Sequence, residues 1–424
     1  MRVLHLTSAL VAVLAVSAGL AGGILYARSV EDRSIDGLAS GEFNQKTQGS
    51  VLQVEAFRHP ELLPLYGSSE LETYQGPYNA SEFFRSFPTG FAVFPVGKPG
   101  TTALIILQEF AGVGREMQGR KVAISILQGW FIAADPINPR FFAGNFSPLH
   151  AAELAFSTDL SFELRRDAAR RMLDFPDTLE RDPLLKFAVD RLADDSLLSR
   201  LLYYLVLPLG KLENLVFHLQ DHWETLTFIR QQPGLNPDPP NQAGRPDWAS
   251  LAIMAERDAV QAADNNPFGF DHRLWDQHIE RFPEKIEPKK PNRSDSTFVE
   301  AVQNGPGWTD LELLLRGLKE LGAEPLILSA PMKGVYYDYR GVSFQARAVY
   351  YQKLYDVTQS YGVPLVDFID HDYDTYFVGD HVSHLSPKGW VYYDWALDAF
   401  YYGMLPTPQS PAARLGEAAE GPRR

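Results

Sequence analysis

The 424-residue chain is 45% hydrophobic and carries 32 glycines and 30 prolines, enough to bury a large core in one or more compact units. A formal net charge of −14 gives no basic excess, which argues against nucleic acid as a partner. The absence of cysteine excludes disulfides, thiolate-bound zinc and a cysteine nucleophile, without deciding the compartment.

The first element is Leu6–Ala27, 22 residues without a charge between Arg2 and Arg28. About 20 such residues span a bilayer core as a helix. Arg2 and the α-amino group on the short side predict an N-inside anchor with the rest of the chain outside the cytoplasm. Val16-Ser17-Ala18 also has the small-residue spacing of a cleavage site, so a cleavable signal peptide is the alternative. Either way the body is exported. Residues 28–50 are polar and read as a stalk, so 1–50 forms an anchor unit ahead of a domain expected over 51–406.

Within that domain, Leu62–Tyr66, Val122–Leu127, Pro325–Leu328 and Val363–Asp367 are short apolar runs beside turns or amphipathic segments, and Phe91–Val96 is strand-like. Their alternation with helical patterns predicts an α/β fold, a mostly parallel sheet covered on both faces. From about 148 to 230 the pattern is helical throughout and reads as an insertion. Asp310–Leu321 stacks Leu311, Leu314, Leu315 and Leu318 on one face and stops at Gly322, and Ser343–Tyr361 stops at Gly362. Ser386-Pro387 predicts an N-cap with proline at the first helical position. Gln231–Pro246 and Pro283–Asn292 read as irregular connections, and 407–424 as a disordered tail. There is no internal repeat.

Two segments carry chemistry. In Leu62–Leu71 a strand enters a turn at Gly67, placing the hydroxyl of Ser69 beyond the carboxyl end of a parallel strand, where open α/β sheets bind ligands. More than 300 residues later, Gly379-Asp380-His381-Val382-Ser383-His384 puts a carboxylate and imidazoles on one loop before a helix. A hydroxyl becomes a nucleophile beside a base, and an imidazole base needs a carboxylate to hold its tautomer. A metal reading competes at Asp367–His384, where Asp370, Asp372 and Asp374 match positions 1, 3 and 5 of a calcium loop. Thr375 at position 6 and His381 at position 12 do not fit that loop, and no metal is assigned. Tyr336–Arg340 is read either as an acceptor groove or as an exposed aromatic turn, and Trp308 either as a flank of the cleft or as loop packing.

Gly67-Ser68-Ser69-Glu70-Leu71 resembles the first block of SGNH (GDSL-type) hydrolases, and the Asp/His loop resembles their last. More closely, from Val51 to Gly403 the chain resembles the DltD-type D-alanine transfer proteins, most specifically in Leu318–Leu326 and His384–Trp390. That resemblance implies a three-layer α/β/α SGNH-like domain behind a single N-terminal transmembrane helix. It implies Ser69 as nucleophile, His384 as base, and an oxyanion hole from Ser69, Gly100 or Gly97, and the amide of Gln128. The family acid stands three residues before the histidine. Here that position is His381, with Asp380 four before; the loop bulges so that Asp380 reaches the imidazole, or Asp372 or Asp374 serves instead, and His381 is the alternative base. It further implies a membrane-bound O-acyltransferase as partner and an envelope polymer as acceptor of an acyl group, D-alanyl in the type family. The chain has no carrier or nucleotide motif of its own and no cofactor is expected. An esterase or thioesterase shares the same residues, and a non-catalytic polymer-binding scaffold is the rival from another class.

Overall fold

The computed structural model describes residues 2–40, 49–74, 76–87, 89–132, 139–232, 244–263, 266–281, 291–407, 409–411 and 414. Most of the two proline-rich connections and of the tail lies outside the described residues. Five parallel strands form one sheet: β1 (Leu62–Gly67), β2 (Ala92–Gly97), β3 (Lys121–Ile126), β4 (Glu324–Ser329) and β5 (Leu365–Val366), in the order β2-β1-β3-β4-β5. All four expected apolar runs and the strand-like 91–96 segment lie in it.

The runs are nearly continuous in apolar residues because both faces are covered. Strand alternation sends Tyr66 of β1 into one core, with the helices Ala103–Val113 and Gly307–Leu321, while Leu63 and Leu65 enter the other, with the helix Pro387–Tyr401. The molecule is therefore a three-layer α/β/α fold. The Gly307–Leu321 helix ends at Gly322, whose left-handed φ of 69° suits a residue without Cβ. Ser386 caps the Pro387–Tyr401 helix by accepting the N–H of Gly389, with Pro387 in its first turn. The insertion is five helices between Pro148 and Gln231, and its buried Leu154, Leu164, Leu185 and Leu192 join the first core.

The N-terminal helix is long and apolar enough to cross a membrane. It continues through the polar segment to Ser40, so 28–40 is helical, and Ile35, Leu38 and Ala39 are buried in the first core. The hydrophobic pattern of 28–40 is sparse, which is why it reads as a stalk; its few apolar residues fall on one helical face.

Candidate active site

After β1 the chain crosses to β2 on one side of it, and β3 then returns to the other side. The carboxyl ends of β1 and β3 thus bracket a topological switch point, the place where such sheets leave a crevice. Gly67, Ser68 and Ser69 follow from β1, and Gln128 follows closely on β3. Gly67 pairs with Gly97 of β2. A Cβ on Gly97, at φ 147°, would overlap the carbonyl oxygen of Gly67, so the close approach of the two backbones sets the height of the serine turn.

Ser69 is partly exposed, and its Oγ lies 2.8 Å from Nε2 of His384. Nδ1 of His384 lies 2.6 Å from Oδ2 of Asp380, while Oδ1 of Asp380 accepts the backbone N–H of Val382 at 2.9 Å and of His384 at 3.1 Å. With Nδ1–H donating to the carboxylate, Nε2 is left to accept the serine proton. The additional residue between acid and base is absorbed at Ser383, whose φ of 69° is left-handed. Its hydroxyl accepts the amide N–H of Gln128 at 2.7 Å.

Burial works against charge on both members of the pair, but their mutual attraction outweighs it. Asp380 is held far below the ordinary carboxylate range by the imidazole and the backbone N–H donors, and His384 is raised above 6.5 by the carboxylate. Glu70, buried next to the serine, accepts the N–H of Ser68 at 3.0 Å, and burial raises its pKa.

Two of the expected oxyanion donors, Gly100 and Gln128, each have a partner. The N–H of Gly100 donates to Ser68 Oγ at 3.1 Å, and the Gln128 amide is engaged by Ser383. Asn145 holds the Gly100 turn: it donates to Pro99 O at 3.2 Å and accepts from Thr101 Oγ1, which in turn accepts the N–H of Lys98.

The other carboxylates of the dense stretch point elsewhere. Asp372 is buried against Arg347 and Tyr351, Asp374 pairs with Lys388 at 2.7 Å, and Asp370 faces Arg414. His381 packs against the rings of Phe270 and Tyr336, and its charge helps hold Asp380 low. Tyr336 is buried, and so is Trp308, whose ring packs at a tilt against Phe131. Lys333 went unread: its buried ammonium donates to the carbonyls of Gly269, Val378 and Thr375, tying down the approach to the Asp380 loop. A solitary lysine carries no sequence signal for such a role. A depression of about 290 Å³ lined by His59, Leu62, Arg120, Lys121 and Glu324 lies at the amino ends of the strands, opposite the serine.

Comparison with known proteins gives one family. The model of the family described as "DltD protein" matches residues 42–402. The chain is 28% identical to Protein DltD of Bacillus subtilis (strain 168) over 354 residues, 84% of this chain and 86% of that protein. It is 27% identical to Protein DltD of Staphylococcus aureus (strain NCTC 8325 / PS 47), over 86% of this chain and 87% of the relative. With Protein DltD of Lacticaseibacillus rhamnosus the identity is 22%, over 92% and 89%.

Proposed function

This chain belongs to the DltD family, and from that premise we propose that it is a membrane-anchored serine acyltransferase acting outside the cytoplasm in the D-alanylation of an envelope polymer. The observation that carries the proposal is the continuous Ser69–His384–Asp380 hydrogen-bond chain at the switch point of the sheet.

Ser69 Oγ attacks the carbonyl carbon of an activated acyl donor while Nε2 of His384 takes its proton. Asp380 stabilises the imidazolium that forms. The oxyanion takes up N–H donors at the crevice, from Ser69 and from Gly100, whose bond to Ser68 Oγ it replaces. His384 returns the proton to the leaving group, and the acyl group remains as an ester on Ser69. A polymer hydroxyl then attacks that ester, gives its proton to His384 and carries the acyl group away, regenerating Ser69. Gln128 is better placed to hold Ser383, and so the His384 loop, than to meet the oxyanion. Water in place of the polymer gives hydrolysis by the same residues. The 2.6 Å contact of Asp380 with His384 favours this reading over a non-catalytic scaffold.

A chain without an acyl-activating motif needs a donor from another protein, and a membrane-bound O-acyltransferase fits the anchor and the exported body. The test is ester-linked D-alanine on envelope polymers in cells lacking the gene, complemented with wild type or Ser69→Ala, with and without the acyltransferase. Wild type should restore the ester only when the acyltransferase is present, and Ser69→Ala should restore none. Full D-alanylation in either deficient background would reject the proposal.

A further inference from the structure

The helix Leu197–Gln231 is 35 residues long and is sided in an unusual way. Its inner face is packed tightly on the body. Tyr203 is buried and bonds to Ala155 O and Arg165, and a Cβ on Gly210 would overlap the ring of Phe156. Its outer face repeats Leu198, Leu201, Leu205, Leu209, Leu212 and Val216 at helical spacing, with Leu201 58%, Leu205 66% and Leu212 59% exposed. Such a contiguous apolar stripe on an otherwise well-packed body marks a contact surface.

The N-terminal helix tells which end of this helix lies toward the membrane. Glu31 lies 2.7 Å from Nδ1 of His222, and Arg28 lies near enough to His218 to act on its charge. The two pairings descend together, so following the N-terminal helix toward its apolar run means following the other helix toward Leu197. Ala27, the last residue of that run, is still buried against the body, whereas Thr7–Tyr26 are exposed apart from the half-buried Ile24. The body therefore abuts the place where the membrane-crossing segment starts, and the end of the other helix that carries the leucine stripe points the same way.

The charged residues that flank the stripe identify its occupant. From Leu197 to Val216 the fully exposed charges are Arg200 and Lys211, both cationic, and the one anionic residue, Glu213, is half-buried, in a chain whose net charge is −14. An interfacial helix has this make-up: apolar residues enter the acyl boundary while long cationic side chains reach anionic headgroups. We propose that the outer face of the Leu197–Val216 segment rests in the surface of the bilayer that the N-terminal helix crosses. The body is then held at two points, and its orientation over the membrane is set by the fold. The inference is independent of the serine chemistry.

The absence of native cysteine makes the test direct. Full-length Leu205→Cys and Leu212→Cys are labelled with an environment-sensitive nitrobenzoxadiazole probe. The control is Gln359→Cys, an exposed site on the helix leading into β5, at the sheet edge away from β2. Each is reconstituted alone in mixed phosphatidylcholine–phosphatidylglycerol vesicles containing headgroup-proximal spin-labelled lipid. Probes at 205 and 212 should emit at shorter wavelength and be quenched roughly twofold or more above the control. Water-like emission with quenching no greater than at 359 would overturn the proposal. So would protection of these probes only in native membranes and without quenching by lipid, because the occupant would then be a protein.

Discussion

Ser69→Ala and His384→Ala should each lower turnover of a soluble activated ester by about a thousandfold or more, with the double variant no worse than either single one. The hydroxyl and the imidazole lie 2.8 Å apart and serve one proton transfer, so removing either disables the same step. Asp380→Asn should retain more activity, with a loss on the order of a hundredfold, because the carboxylate acts through the imidazole. His381→Gln should stay near wild type, since His381 faces Phe270 and Tyr336. The pH profile follows from the sign of the histidine shift. The base must be neutral, and Asp380 raises His384 above 6.5, so activity should rise with pH through an inflection above that value and move to lower pH in Asp380→Asn. Stopped ester assays on folded, purified variants measure all of this. Additive losses in the double variant would break the unit apart.

Gly97→Ala should lower unfolding free energy by about 3 kcal/mol or more, or prevent folding altogether. Two costs coincide there. Alanine at φ 147° is strained, and its Cβ meets the Gly67 carbonyl, which is backbone and lies in the strand that delivers Ser69. Gly129→Ala is the control, because a Cβ there meets nothing within 4 Å, and it should change stability by no more than about 0.5 kcal/mol. Denaturant melts of the two variants give the comparison. Wild-type stability in Gly97→Ala would show that β1 and β2 can part at this point without penalty.

The strands could be read from the sequence because both faces of the sheet are buried, which leaves short, unbroken apolar runs between turn residues. Ser69 and His384 stood out for the same reason, each on a loop just beyond such a run or before a capped helix. The acid was harder. Spacing along the chain put His381 where the carboxylate belongs, and only a left-handed backbone at Ser383 brings Asp380 onto the imidazole. A non-glycine residue at positive φ has no reliable signature. Gln128 occupies the position of an oxyanion amide in sequence, and its side chain donates to Ser383 Oγ, a contact between segments 255 residues apart that no local pattern announces. Lys333 and Asn145 act through backbone carbonyls and side chains brought near by folding, so neither has a local pattern. The helix through 28–40 was missed because its apolar positions are few, and they matter only once Ile35, Leu38 and Ala39 meet the body.

The central claim is that Ser69 carries the acyl group, and reaction with a fluorophosphonate probe tests it most directly. Full-length protein in mild detergent is treated with the probe, digested, and its modified peptide located by mass spectrometry. The account predicts a single phosphonylated serine, Ser69, with labelling absent in Ser69→Ala and strongly slowed in His384→Ala. Undiminished labelling of folded Ser69→Ala, or a folded wild-type protein that does not react, would contradict it.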